Sequence, residues 1–244
     1  MKFGFLGKQT NERKTTMKKM MAVAVAALAL GAFAQDPEQE VNSQSWRLTV
    51  GGFGRGSMTL RPVGMPRKHF EMYGVDADVQ FKAYETEKFN FWTGVGFGWA
   101  PNQRVYNVTE VTSIGGGFYA VDKEKNDLQY GELRLMAVPE WKVTDDFMLG
   151  LRLGVAFDWT RCKNHWSGGV PGIAMAEGSD TYSDFVAQGI VGLQGTYMFM
   201  ENVGLYAAID WRGGSDPTLK KNGNTYGKLS MDGWYASAGV VVGF

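Results

Sequence analysis

Three polar residues in one short stretch of the sequence could together activate a nucleophile. His165 and Ser167 are separated by Trp166, and Glu177 lies further along the same stretch. A histidine can take the proton of a serine hydroxyl while a carboxylate orients the imidazole ring, and such a serine would attack an acyl group. The surrounding sequence is rich in glycine, which favours the alternative of a solvated histidine in a surface loop. We therefore predict no catalytic residues here and expect that the protein is not an enzyme.

The remaining residues offer little metal or nucleotide chemistry. His69 is the other histidine and Cys162 is the one cysteine, so no group of His, Cys, Asp and Glu has the spacing of metal ligands. A single cysteine forms no disulfide within the chain. Gly94, Gly96 and Gly98 alternate within "WTGVGFG", but no helical pattern follows them, which argues against a phosphate-binding loop. We expect no metal and no cofactor.

The N-terminal residues have the pattern of a helical signal peptide. Lys18 and Lys19 precede the apolar run "MMAVAVAALALGAFA", which ends in a small-residue cleavage pattern just before Gln35. The run is too short for a comfortable transmembrane helix, although a retained anchor is the alternative. Met17 is an alternative start to Met1. This pattern predicts export from the cytoplasm.

The sequence divides into three parts. These are an N-terminal extension with the signal peptide (1–34), a polar lead (35–45) and one domain (46–244). Beyond residue 34, acidic residues outnumber basic ones and no basic patch is present, so nucleic acid is not an expected partner.

From Trp46 onward the sequence repeats with a period of two residues, which is the pattern of β-strands. In Phe147–Trp159 one face carries only large apolar side chains, and the other carries Arg152 and Asp158 with glycine, alanine and methionine. Eight such segments are predicted, at 46–60, 73–83, 89–99, 128–141, 147–159, 182–199, 203–211 and 229–244.

The connections between these segments alternate between short and long. Short turns are predicted near 85–88, 143–146 and 200–202, and long polar loops at 61–71, 100–127, 160–181 and 212–228. This alternation is typical of outer-membrane barrels, which have short periplasmic turns and long external loops. An even number of strands places both ends of the domain on the periplasmic side.

The positions of the aromatic residues favour a membrane barrel over the alternative of a soluble sandwich. A strand can cross lipid only in a closed sheet, because every backbone N–H and C=O must be paired within the protein. Aromatic rings anchor such strands at both membrane interfaces. The predicted outer belt is Trp99, Trp159 and Trp211, and the inner belt is Phe89, Trp141, Phe147 and Phe199. The sequence thus predicts an all-β, eight-stranded antiparallel up-and-down transmembrane β-barrel.

The inward faces of the predicted strands carry equal numbers of cations and anions. The interior of an eight-stranded barrel is only wide enough for side chains, and buried ions need partners. We therefore predict a salt-bridged, closed lumen, with a narrow gated pore as the alternative. The predicted lumen ions are Arg55, Asp76, Asp78, Lys82, Glu132, Arg134, Arg152, Asp158, Asp210 and Arg212.

The final segment, "WYASAGVVVGF", has Phe244, Val242 and Val240 on its apolar face. This ending, with the signal peptide, resembles the small eight-stranded outer-membrane β-barrel proteins, such as the OmpA transmembrane domain, OmpX and OmpW families. The resemblance implies that these three residues form a signal for the barrel-assembly machinery. It also implies an outer membrane of the Gram-negative type, with outer-membrane lipid and lipopolysaccharide around the barrel.

Three functions are compatible with these features. The favoured one is a structural or surface-interaction role, with an extracellular partner bound through the long loops. The resemblance to the OmpW family implies a small channel or transporter for apolar solutes, with an apolar upper lumen and a lateral opening. The His-x-Ser triplet resembles the core motif of the outer-membrane lipid A deacylases, but Gly168 and Gly169 stand where that motif continues with Asn-Ala.

Overall fold

The computed structural model describes residues 45–116 and 118–244, so the predicted signal peptide and the lead at 35–44 lie outside the described residues. Within the described ranges, no helix has the length and apolar content needed to span a bilayer. The described residues form ten strands: β1 (Trp46–Pro62), β2 (Lys68–Glu85), β3 (Phe89–Gly115), β4 (Phe118–Lys142), β5 (Phe147–Val170), β6 (Ala174–Met198), β7 (Val203–Gly214), β8 (Thr218–Lys221), β9 (Asn224–Ser230) and β10 (Gly233–Gly243).

Eight of these strands close into a barrel. Each strand from β1 to β7 pairs with the next, and β10 pairs with both β7 and β1. The closing ladder runs from Arg47↔Gly243 to Arg55↔Tyr235. Beyond it, the Phe244 N–H donates to the carbonyl of Trp46 at 2.8 Å. The sheet has no free edge over this height, which confirms the predicted eight-stranded antiparallel up-and-down barrel.

Short turns lie at the end of the barrel where β1 begins and β10 ends. The Thr86 N–H donates to the Phe89 carbonyl at 2.7 Å, and the Val143 N–H donates to the Phe147 carbonyl at 2.9 Å. The three turns lie close to the positions predicted from the sequence. We call this end of the barrel the turn end and the opposite end the outer end.

The prediction of irregular outer loops at 100–127 and 160–181 is wrong. β3 and β4 stay paired out to Gly115↔Phe118, and β5 and β6 stay paired out to Val170↔Ala174. Outside a membrane these strands need no continuous apolar face, so the period-two apolar signal fades while the backbone ladder continues. The outer ends of β3 to β6 therefore form one continuous sheet, which we call the outer sheet.

The last outer connection contains the hairpin β8–β9. Lys221 and Asn224 pair across a two-residue turn, in which Asn222 and Gly223 have φ angles of 50° and 83°. Positive φ at both positions is the requirement of a type I′ turn, which Asn-Gly favours. β9 pairs with the outer end of β1. Leu229 therefore belongs to the hairpin, and the last barrel strand begins at Gly233 instead of the predicted residue 229.

The barrel wall presents apolar side chains outward and polar side chains inward. Val79, Leu193 and Leu205 are 50%, 52% and 52% exposed, whereas the neighbouring inward residues Asp78 and Arg152 are at most 1% exposed. A continuous apolar exterior of this kind is an aggregation liability in water and is favourable in hydrocarbon.

Aromatic side chains mark the outer limit of this apolar band. Trp99 and Trp159 both pair in register with Gly131. A Cβ at Gly131 would overlap the Trp159 indole, so the glycine lets the ring lie flat against the wall. Further round the barrel, the rings of Trp211 and Trp234 have centroids 5.2 Å apart.

A second set of aromatic side chains lies at the turn end. The rings of Phe89 and Trp141 are 5.6 Å apart, and those of Trp46 and Phe81 are 5.1 Å apart. Phe147 and Phe199, which were also predicted here, are exposed at the same end, as is Phe244. The apolar band of the wall thus lies between two aromatic rims.

β2 and β3 separate just above the outer aromatic rim. Their ladder ends at Val75↔Trp99, and β3 bulges before Gln103 and continues beside β4 alone. Pro101 lies in this bulge and has no N–H to give to a ladder. The Gln103 amide replaces the missing backbone pair, because its nitrogen donates to the Tyr73 carbonyl and its oxygen accepts from the Tyr73 N–H at 3.3 Å.

Candidate functional site

Arg134 lies at the centre of an ion network inside the barrel. Its Nη2 is 2.8 Å from Asp78 and 3.3 Å from Asp76, and its Nη1 donates to Glu132 and to the Tyr235 hydroxyl, both at 2.9 Å. All five residues are at most 2% exposed. Strand alternation brings them to one level from β2, β4 and β10. A guanidinium with this many partners meets the requirement for burying an ion.

Arg212 and Arg55 extend the network toward the outer end. Arg212 forms an ion pair with Glu132. Arg55 donates to the Tyr130 hydroxyl at 2.8 Å, and that hydroxyl lies 2.9 Å from Asp158. Arg55 and Asp158 are themselves 3.5 Å apart. The Tyr130 hydroxyl also lies 2.6 Å from Glu132, so it links the Arg55–Asp158 pair to the Arg212–Glu132 pair.

Arg152 connects the network to Asp210 on β7. Its Nε is 3.1 Å from Asp210 Oδ1, and its Nη2 is 3.8 Å from Asp78 Oδ2. Arg152 also donates to the Gln194 side chain at 3.1 Å. The structure thus brings every predicted lumen ion except Lys82 into one buried network.

Lys82 lies instead at the rim of the turn end. Its Nζ is 2.7 Å from Glu85, and Lys142 approaches the same carboxylate at 2.9 Å. Burial alone would raise the pKa of Glu85, but the hydrogen bonds from the two lysines outweigh burial and hold that pKa below its ordinary value. The predicted placement of Lys82 in the lumen network is therefore wrong, because β2 reaches the water-exposed rim at this residue.

A second ionic group near the turn end was missed by the sequence reasoning. Arg47 Nη1 lies 2.8 and 3.0 Å from the two oxygens of Glu140, and its Nε donates to Gln80 at 2.6 Å. The Trp92 indole N–H donates to Glu140 at 2.9 Å, and the guanidinium carbon lies 4.3 Å from the Trp92 ring centroid. The two-residue alternation along β1 was the signal that could have identified Arg47, because it places Arg47 on the same inward face as Arg55.

Inward glycines provide the space for the central network. A Cβ at Gly96 would overlap the Asp78 carboxylate, and a Cβ at Gly192 would overlap Asp210. Gly96 and Gly98 of "WTGVGFG" therefore lie beside Asp78 and Glu132 and leave room for these carboxylates inside the barrel.

An apolar cluster fills the barrel above the ions. Leu219 and Leu229 belong to it, and they come from the hairpin β8–β9, which pairs with β1 on one side and with β6 at Ser183 on the other. Burial raises the pKa of the Cys162 thiol, on the opposite wall of this cluster, to about 12. Other fully buried members include Met58, Leu60, Met72, Ala100, Leu128 and Tyr130. The hairpin thus covers the outer mouth of the barrel.

The three polar residues of the His-x-Ser stretch lie on the outward face of the outer sheet. Ser167 pairs in register with Glu177, and His165 pairs with Ser179, so the carboxylate stands beside the serine and not beside the histidine. His165 Nε2 is 3.9 Å from Asp127. The prediction that this stretch is a loop is wrong, since it is part of β5. In the part of the chain that the structure describes, no group of three or more His, Cys, Asp or Glu side chains is placed to hold a metal ion.

No protein-family model matches the chain, and no curated protein matches it in sequence. Among solved structures it is similar to Ail, the attachment invasion locus protein of Yersinia pestis, at 11% identity over 82% of this chain and 99% of that chain, with a TM-score of 0.40. It is similar to Neisserial surface protein A at 12% identity over 82% of this chain and 97% of that chain, with a TM-score of 0.44. A third similar structure is OprG from Pseudomonas aeruginosa, at 11% identity over 83% of this chain and 96% of that chain, with a TM-score of 0.40.

The fold assignment depends on three features of this chain itself. The strand order is closed, the outer face is apolar between two aromatic rims, and the interior is ionic. These features give the chain the fold of a small outer-membrane β-barrel.

Proposed function

We propose that the protein is a non-enzymatic integral outer-membrane barrel with a closed lumen, acting in envelope integrity or in contacts with partners outside the cell. The observation that carries this proposal is the filling of the barrel interior at two levels. Arg134 and Glu132 in the ion network are 0% exposed, and so are Met58 and Leu128 in the apolar cluster above it. A pore needs a continuous water-filled path, and these two levels interrupt it.

The outward faces support embedding in the outer membrane. In hydrocarbon only a closed sheet pairs all its backbone groups, and β10 closes this one against β1. Phospholipid and lipopolysaccharide would surround the apolar band. Val240 on the last strand and Phe244 directly after it are exposed, and Val242 between them is half-buried, which fits recognition by the barrel-assembly machinery before insertion.

The outer sheet is the part of the molecule suited to a partner outside the cell. Paired strands hold its side chains at fixed spacings, so a partner would not have to order a flexible loop when it binds. The paired strands also hold His165 and Ser167 two residues apart on one face. Glu177 stands beside Ser167 and orients neither nitrogen of the imidazole ring. This arrangement supports display and contact over catalysis.

The proposal is tested with the purified protein refolded in phosphatidylcholine vesicles. We expect a β-rich circular dichroism spectrum, a change of gel mobility on boiling, and no steady conductance in planar bilayers. Steady conductance of the pure protein would contradict the closed lumen. A β-rich monomer that stays soluble without detergent would contradict embedding. In cells, the His165→Ala variant should leave lipid A composition unchanged, and an altered composition would contradict the non-enzymatic role.

A second candidate function is exchange of apolar solutes with the outer leaflet. It is favoured by the separation of β2 and β3 above Trp99, where the Gln103 side chain bridges the strands, and by the apolar cluster behind it. In this case the Gln103→Ala variant should admit a hydrophobic fluorescent dye faster than the wild type. Asn102→Ala changes an exposed neighbouring amide and is the control. Equal dye entry in all three proteins would leave this candidate without support.

A further inference from the structure

Two cations follow the outer aromatic rim on the outward face of β5. Trp159, Arg161 and Lys163 alternate along this face, and all three are exposed. At roughly 3.3 Å per residue, Arg161 lies about 7 Å and Lys163 about 13 Å beyond Trp159 along the strand. A strand tilt of about 40° reduces these heights above the rim to roughly 5 and 10 Å. A polar headgroup layer is about 5–8 Å thick, so Arg161 lies at the level of lipid phosphates. Lys163 lies just above this layer, and its long flexible side chain can reach down to the same phosphates.

Neighbouring strands add further cations at the same face. Lys125 on β4 pairs in register with His165, and Asp127 pairs with Lys163. The Asp127 carboxylate is already engaged, because Arg104 Nε lies 3.1 Å from it and His165 Nε2 lies 3.9 Å from it. We call the exposed cations of this face the cationic patch. Arg104 is left out because it is paired with Asp127, and the patch consists of Lys123, Lys125, Arg161 and Lys163.

Hydroxyl groups and a depression complete the face. Thr181 and Ser183 on β6 stand beside Lys163 and Arg161. Directly above, a depression of about 450 Å³ is lined by Lys123, Lys125, His165, Ser167, Glu177 and Ser179. Glu177 is the one carboxylate in this lining, at the end far from the rim. Ammonium and guanidinium groups suit phosphate, and hydroxyls with a carboxylate suit sugar hydroxyls.

We propose that the cationic patch binds the phosphorylated sugar headgroup of an outer-leaflet glycolipid of the lipid A type. The inference rests on the proposed embedding, because the apolar band directly below Trp159 is what holds the acyl chains of such a lipid. That continuity selects a lipid over a soluble phosphate. The phosphate binds at Arg161 and Lys163, and the sugars extend toward the depression.

The test compares binding of diphosphorylated lipid A by three proteins in phosphatidylcholine vesicles. These are the wild type, the double variant Arg161→Gln/Lys163→Gln, and a control, Arg67→Gln/Lys68→Gln. The control removes one arginine and one lysine that are also exposed but lie on the β1–β2 side. Lipid retained on the protein is counted by native mass spectrometry, and gel mobility before and after boiling shows whether each protein has inserted.

At low salt each cation near a membrane surface contributes roughly a fivefold change in binding. We expect the Arg161/Lys163 variant to bind lipid A about 30-fold more weakly than the wild type, and the control to bind like the wild type. Equal binding by the variant, or an equal loss in the control, would overturn the site while leaving the embedded barrel intact. Failure of the wild type to insert would overturn the proposed embedding and the site with it. Wild-type preference for lipid A that has lost its phosphates would overturn the phosphate assignment.

Discussion

Replacement of Arg134 by methionine tests the role of the ion network in stability. The side chain contacts two aspartates, a glutamate and a tyrosine, and methionine keeps much of its volume but none of its charge. Removing one member of a buried ion group costs about 3–5 kcal/mol, because the remaining charges stay buried without their partner. We therefore expect the free energy of unfolding to fall by about that amount.

The contacts that remain without Arg134 show which carboxylate depends most on its guanidinium. Asp76 keeps the Tyr206 hydroxyl at 3.0 Å, and Glu132 keeps Arg212. Asp78 keeps only Thr49 at 3.4 Å and Arg152 at 3.8 Å. The double variant Arg134→Met/Asp78→Asn should therefore recover a substantial part of the loss.

Urea unfolding from phosphatidylcholine vesicles, followed by tryptophan fluorescence, measures these changes. Arg61→Met is the matched control, since Arg61 is exposed on β1, and it should change the free energy of unfolding by less than about 0.5 kcal/mol. A stabilising role of the ion network is refuted if Arg134→Met costs no more than this control, or if adding Asp78→Asn deepens the loss by a further several kcal/mol.

Three further predictions concern other parts of the barrel. Gly131→Ala should push the Trp159 indole off the wall and destabilise the barrel by about 1–3 kcal/mol, seen in tryptophan emission and the urea midpoint; an unchanged spectrum would contradict the packing described. Glu85 has a lowered pKa, so its contribution to the stability of the barrel is present above its ordinary pKa, near 4.5, and is lost as the pH falls through the lowered value. The stability difference between wild type and Glu85→Gln, under about 1 kcal/mol at this half-exposed rim, should therefore vanish in acid. A stability difference that grows in acid would show the opposite sign. Cys162 should not react with a maleimide at neutral pH until the protein is unfolded, and rapid labelling of the folded barrel would show that the apolar cluster is open.

The membrane-facing wall could be predicted from the sequence because lipid imposes a strict rule on it. Trp159 and Asp158 are adjacent in the chain and point to opposite sides, and a two-residue period records this difference directly. The same parity also identifies Arg47 and Glu140, but each stands near a strand end, where the alternation is easily read as the start of a turn. Their pairing joins the first and fourth strands, and no local pattern records such a contact.

The outer sheet could not be predicted in this way. Its two faces both carry polar residues, such as Lys125 outward and Asn126 inward, so the contrast that marks a strand is absent. Glycine and asparagine in these segments favoured loops. By contrast, Asn222-Gly223 is a strong local turn signal, and it would have located the hairpin inside the last connection.

The seam between the first and last barrel strands has a consequence for how the molecule assembles. Arg47 and Gly243 stand side by side there although almost the whole domain separates them along the chain. Contacts between residues so far apart in the sequence cost the most loop-closure entropy to form. Weakening a few backbone pairs of this seam should therefore destabilise the whole barrel, because an open seam leaves two unpaired strand edges.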